Sequence, residues 1–160
     1  EFLKLVEKHQ NIVHKVCHMF AQDEDVRRDL FQEITIKLWL GHKSFTGQAA
    51  VTTWMYRVAL NTAISLQRKE KKNLTQPLSP NIQPIEDSEE NKIGQPEIDQ
   101  LYQAINLLEP VDKAIILLYL EEKKYDEIAE IIGISRSHVG VKITRIKKKL
   151  ESILSETMEY

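Results

Sequence analysis

Between Asn73 and Pro96 the helical periodicity that runs through the rest of this 160-residue chain stops. The interval holds Pro77, Pro80, Pro84 and Pro96, many Asn, Gln and Ser residues, and a cluster of acids. Low hydrophobicity combined with high net charge cannot bury enough apolar surface to fold alone. The stretch 73–96 therefore reads as a flexible linker. A chain divided in this way is expected to form two small domains, 1–72 and 97–160, rather than one core. Both blocks carry apolar residues at helical spacing, glycines number only 5 and aromatics make up 7% of the chain. The expected fold class is all-α, with two small helical domains joined by a flexible linker.

In the first block, Phe2, Leu5, Val6, Ile12, Val13, Val16 and Phe20 mark a helix over 2–20. Asp23, Glu24 and Asp25 suit the start of a second helix, 26–40, as cap and as charges favourable to the helix dipole. A short loop with Ser44, Phe45, Thr46 and Gly47 leads to a third helix from about Thr52 to about Lys72.

After Pro96, a residue suited to a first turn, Ile98, Leu101, Ile105 and Leu108 make an apolar stripe that Glu109-Pro110 interrupts. Residues 111–121 form a strongly apolar helix. Tyr125, Ile128, Ala129 and Ile132 line the next one. Gly133-Ile134-Ser135 then makes a tight turn with Ser135 as cap. Val139, Ile143, Ile146 and Leu150 line the helix that follows. Two short helices joined by a glycine-containing turn form the helix-turn-helix pattern.

Charge is segregated although the net charge is only −2. Residues 1–72 carry 12 bases and 8 acids, residues 73–99 carry 1 and 6, and residues 100–160 carry 9 and 10. Within 136–149 stand Arg136, Lys142, Arg145, Lys147, Lys148 and Lys149 with no acid. A local basic field attracts a polyanion whatever the net charge. On a helical wheel, Ser137, His138, Val141, Thr144, Arg145 and Lys148 fall opposite the apolar stripe of 136–150. Short polar and cationic groups on one helix face are what major-groove reading requires. A charge run alone is more often a solvated face; the helix and turn preceding this one shift the reading to DNA.

The helix 26–40 has two unlike faces. Val26, Leu30, Phe31, Ile34 and Leu38 form a core stripe. Asp29, Gln32, Glu33, Ile36, Trp39 and Leu40 lie nearly opposite. Mixed acids, amides and aliphatics suit a protein partner or a second core contact, and the pattern alone supports both equally. The helix 52–72 joins Trp54, Tyr56, Asn61, Thr62, Ser65 and Gln67 to Arg57, Arg68, Lys69, Lys71 and Lys72. Amides, aromatics and cations fit melted DNA, with Trp54 better read as core.

Several classes find little support. Cys17 is the one cysteine, which excludes an internal disulfide and fits a reducing compartment. No apolar run approaches the ~20 residues of a membrane span, and nothing reads as a signal peptide; a cytoplasmic protein with no direct membrane insertion is expected. His14, Cys17 and His18 have a spacing that could ligate zinc, but no fourth ligand is apparent. No metal, cofactor or small-molecule substrate is expected. No phosphate loop or nucleophile elbow is present, so the chain reads as a non-enzyme.

Three strings together carry a family resemblance. Asp29-Leu30-Phe31-Gln32-Glu33-Ile34 with Lys37-Leu38-Trp39 resembles the second-region helix of extracytoplasmic-function sigma factors. Thr53-Trp54-Met55-Tyr56-Arg57-Val58-Ala59-Leu60-Asn61 resembles their promoter-melting, −10-reading segment. Tyr125 to Ser135 and Val139 to Leu150 resemble their fourth-region helix-turn-helix. The strings stand in the family's order, with a linker where the family has one. The resemblance implies a factor that binds core RNA polymerase and directs promoter-specific initiation.

By position, it places Asp29, Gln32, Glu33, Ile36 and Lys37 on the polymerase clamp helices, and the second domain near the flap. It places Phe45, Arg57, Asn61, Thr62, Ser65 and Arg68 at the −10 element, and Arg136, Ser137, His138, Val141, Lys142, Arg145 and Lys148 at the −35 element. The linker would thread toward the RNA exit path, and an anti-sigma protein would hold the factor inactive. Ser65 stands where many members carry Asp, and Gly140-Val141 where Lys-Ser or Arg-Ser is usual. These departures bear on the DNA sequence preferred. The free chain is expected to sample several domain arrangements. The rival reading is an ordinary helix-turn-helix regulator whose residues 1–72 dimerise or sense a ligand. An exposed Asp29/Gln32/Glu33 face argues against that reading, and a pocket of convergent polar groups argues for it.

Overall fold

The computed structural model describes residues 2–45, 50–74 and 96–158. The described residues are helical throughout apart from short connections. Helix α1 spans Phe2–Phe20, α2 Glu24–Gly41, α3 Val51–Leu74, α4 Pro96–Asn106, α5 Pro110–Leu120, α6 Tyr125–Ile132 and α7 Arg136–Met158. The expected linker 73–96 lies mostly outside the described residues: Asn73 and Leu74 complete α3, and Pro96 opens α4.

The boundaries follow local chemistry. Asp23 caps α2 by accepting from the Asp25 N–H at 2.8 Å. A 3₁₀ turn, His42–Ser44, closes that helix. Pro110 occupies the first turn of α5, where its missing N–H costs nothing. Gly133 ends α6 with φ +86, and its N–H and that of Ile134 both donate to the Ala129 carbonyl. Only glycine adopts that left-handed conformation without strain. Ser135 Oγ accepts from the His138 N–H at 3.2 Å, so Ser135 is the cap the sequence suggested. Helix α7 runs a further two turns past Leu150, because Ile153 and Leu154 continue its apolar stripe against the core. Helix α1 is kinked at His9 (φ −115, ψ 19), and its first turn sets Phe2 edge-on to Trp39, 5.1 Å between ring centres.

Helices α1, α2 and α3 pack together around Val13, Val16, Ile34, Leu38, Met55 and Leu60. Helices α4 to α7 pack around Ile105, Leu108, Ile115, Leu118, Ile128 and Ile143. The two units are not apart. Helices α5 and α6 lie against α3, and α5 also lies against α1. This explains why α5 is buried on both sides: Pro110 and every residue from Lys113 to Leu118 are buried. A helix apolar all round is one enclosed by neighbours. Of the arrangements expected for the free chain, the structure presents a closed one.

Candidate nucleic-acid and polymerase interfaces

The outer face of α2 is open. Ile36 is 53% exposed, Trp39 53% and Leu40 71%. Asp29, Gln32 and Lys37 are exposed beside them and Glu33 is half-buried. The inner face is occupied by Leu30, Ile34 and Leu38, and Phe31 stacks on His14 at 4.8 Å. A second contact considered for the outer face is made at its end, where Trp39 meets the Phe2 ring of α1, while Ile36 and Leu40 stay exposed. Aliphatic groups left in water among acids and amides are what a protein-docking surface offers.

On α3, Arg57, Asn61, Ser65 and Arg68 share one stripe at helical spacing, and the last three are exposed. Thr62 is not on this surface. It is buried, and its hydroxyl donates to the Val58 carbonyl at 2.7 Å. Arg57 is occupied: its guanidinium donates to the Glu130 carbonyl of α6 at 2.8 Å. Phe45 stacks on Trp54, 5.2 Å between ring centres. Trp54 also closes on Gly41, where an added Cβ would come within 3.5 Å of its ring; the tryptophan is half-buried packing.

The seam between the two units is cationic and aromatic. Lys15 pairs with Glu121 at 2.7 Å. The Lys113 ammonium stands 5.5 Å from the centre of the Phe20 ring, and that of Lys123 stands 5.4 Å from the Tyr56 ring. Such contacts contribute about 0.5–2 kcal/mol each, more where water is excluded. Burial, and then the nearby Glu121 carboxylate, push the Tyr56 phenol up to about 12. Tyr56 is therefore a neutral ring against that ammonium at every physiological pH.

On α7, Arg136, Ser137, His138, Val141, Thr144, Arg145 and Lys148 are exposed. Arg136 pairs loosely with Asp126 at 3.6 Å, both largely exposed. An exposed pair of this kind contributes at most about 1 kcal/mol, so it yields readily to a phosphate. Lys142 differs from the sequence expectation. Its ammonium bridges to Asp112 of α5 at 3.2 Å and is half-buried, so it fastens α7 to α5 rather than facing outward. Sequence reasoning also missed Tyr125, which lines one shallow concavity with Ser137, Val141 and Arg145. In sequence it reads only as the first residue of the apolar stripe of α6, and its approach to Gly140 of α7 is a tertiary meeting.

Gly140 lies in mid-helix, and a Cβ there would meet Tyr125 Cε2 at 3.7 Å, ordinary contact. Gly140→Ala is therefore expected to raise stability by up to ~1 kcal/mol, the helix-propensity difference. Thermal denaturation checks this; a lowered midpoint would mean the backbone there is not a relaxed helix.

The His14, Cys17, His18 trio does not converge. His14 faces Phe31, and Cys17 is buried, its thiol pushed up to about 11 mainly by that burial. Among the described residues no group of three or more His, Cys, Asp or Glu is arranged to hold a metal ion. A cleft of about 210 Å³ between α1, α2 and α3 is lined by Phe20, Val26, Leu30 and Leu66, with Asp29 and Glu70. It is smaller than the ~300–1,000 Å³ usual for a ligand site, and so does not favour a sensing domain. Among the described residues no helix is long and apolar enough to cross a membrane.

A three-helix unit with an open polar–aliphatic face, followed by a helix-turn-helix unit with a basic outer face, defines a DNA-binding protein that also docks on a protein partner. Known proteins make this specific. The family model Sigma-70 region 2 matches residues 5–73, and Sigma-70, region 4 matches residues 98–150. The ECF RNA polymerase sigma-E factor of Haemophilus influenzae is 29% identical, over 98% of this chain and 89% of that protein. The ECF RNA polymerase sigma factor SigW of Bacillus subtilis is 27% identical, over 95% and 86%. Among solved structures, the sigma factor RpoE in complex with the anti-sigma factor NepR from Bartonella quintana shares the fold. Its TM-score is 0.73 at 19% identity, covering 96% of each chain. CnrH in complex with the cytosolic domain of CnrY gives 0.69 at 18%, over 97% of this chain and 88% of that one. The chain belongs to the sigma-70 family, in its extracytoplasmic-function branch.

Proposed function

We infer that this chain binds core RNA polymerase through the outer face of α2 and directs promoter-specific initiation by recognising −10 and −35 DNA. The observation that carries the reading is the open Asp29, Gln32, Glu33, Ile36, Leu40 face, since a self-contained regulator has no need of it. Asp29, Gln32 and Glu33 supply acceptors to a basic partner helix, Ile36 supplies apolar contact, and Lys37 borders the patch. Asn61, Ser65 and Arg68 face the non-template strand at the −10 element, with Phe45 at the edge of that site. Ser137, His138, Val141 and Arg145 face the −35 bases, while Arg136 and Lys148 hold phosphates. Arg57 joins the −10 set once α6 moves off it. Thr62 and Lys142 act by holding their helices.

Domain boundaries at 1–72, 73–96 and 97–160 go with this reading: opening at the linker separates the two DNA faces enough to reach both elements. The closed seam is the form an anti-sigma protein would hold. Of the structural neighbours that share the fold, RpoE is in complex with the anti-sigma factor NepR and CnrH with the cytosolic domain of CnrY. The chain works in the cytoplasm, and catalysis belongs to the polymerase.

The test is co-elution of the full chain with bacterial core polymerase on a sizing column. A one-to-one complex is expected. A chain that stays apart from core yet binds duplex DNA as a dimer would replace this reading with that of a conventional regulator.

A further inference from the structure

The outer face of α7 has an unusual centre. Between Ser137 and Arg145, where DNA-reading helices place polar groups, stand Gly140 and Val141. Val141 is 46% exposed, an aliphatic side chain on a surface otherwise built of hydroxyls, imidazole and cations. Gly140 has no side chain, and the Tyr125 ring fills the space beside it. Thr144, next along, donates its hydroxyl to the Gly140 carbonyl at 3.0 Å. That bond turns the hydroxyl toward the helix and lessens what it offers a base edge. Tyr125, Gly140, Val141 and Thr144 line one concavity with Ser137 and Arg145. Val141 and the Tyr125 ring give it apolar walls, and Ser137 and Arg145 give it polar ones.

The DNA major groove presents one apolar group, the C5-methyl of thymine. A concavity walled by an isopropyl group and an aromatic ring is complementary to that methyl. Arg145 lies one helical turn from Val141, so the base it would read is adjacent. A lysine at 140 would lay its stem across the notch; the glycine leaves it open.

We propose that Val141 and the Tyr125 ring, across Gly140, form a thymine-methyl notch that sets sequence preference at the −35 element. The notch rests on the reading of α7 as the −35 helix. It adds a specificity determinant in Tyr125, which stands outside the recognition helix.

The experiment uses the full chain assembled with core polymerase. Promoter duplexes are first enriched from a randomised library. The enriched duplex is then synthesised with uracil in place of thymine within the −35 element alone, which removes methyl groups and leaves every hydrogen bond intact. The native chain is expected to enrich thymine there and to bind the uracil duplex about fourfold more weakly for the methyl lost. Val141→Ser is expected to bind the two duplexes alike. Tyr125→Phe, which keeps the ring, is expected to retain the difference. Equal affinity of the native chain for both duplexes would overturn the notch while leaving −35 recognition standing. Persistence of the difference in Val141→Ser would overturn it equally. Failure to enrich any −35 sequence would overturn the notch together with the reading on which it rests.

Discussion

Replacing Glu33 by Lys is expected to weaken binding to core RNA polymerase by about 3 kcal/mol, roughly a hundredfold. Glu33 stands half-buried on the open face of α2, one turn from Asp29 and beside Ile36. A carboxylate so placed is partly desolvated before any partner arrives, and a basic partner completes its desolvation. Reversing the charge sets two cations against each other at the edge of an apolar contact, where the effective dielectric is low. The core of the first unit is untouched, because Leu30, Ile34 and Leu38 lie on the other side of the helix. Titration of labelled core polymerase with native and variant chains measures the effect. Unchanged helical content and unchanged binding of −35 duplex by the variant are expected alongside it. Equal affinity of the two chains for core would move the docking surface off α2.

The second large effect is on stability. Leu117→Ala is expected to destabilise the chain by about 2–5 kcal/mol, and to do so in both units at once. Along α5, residues 113, 117 and 121 fall on one face. Lys113 reaches the Phe20 ring, and Glu121 pairs with Lys15. Leu117, buried between them, therefore faces α1. Ile115 and Leu118 lie on the opposite side, within the second unit. Removing the Leu117 side chain opens a gap at the seam, so amide-exchange protection should fall in α1 and α3 as well as in α4 to α7. Loss of protection confined to α4 to α7 would contradict the closed packing.

Much of this was legible in residues alone. Apolar spacing located the helices, Asp23 and Ser135 announced their caps, and Gly133 announced the turn. The two unlike faces of α2 were visible too, although spacing could not say whether the outer one met a partner or another helix. The extension of α7 was also signalled, since Ile153 and Leu154 repeat the spacing of Ile146 and Leu150.

What escaped depends on partners distant in the chain. Arg57 is engaged by a carbonyl 73 residues away, and Lys142 by a carboxylate 30 residues away. No local pattern marks either. Thr62 sits between the exposed Asn61 and the buried Ala63, and a hydroxyl bonded to its own helix backbone reads in sequence like one facing solvent. Helix α5 was recognisably apolar all round; the identity of its second neighbour came only from the fold. The seam at Tyr56 had no sequence signal, because a cation above a ring is a tertiary meeting.

The most direct test of the central claim is reconstituted transcription. Core polymerase, the full chain and a linear promoter enriched by their complex are combined with nucleotides, and the transcripts are sized. One defined start site, dependent on the chain and suppressed by Glu33→Lys, is the result expected of a promoter-specificity factor. Transcripts identical with and without the chain, or a chain that binds the promoter without core and yields no defined start, would contradict it.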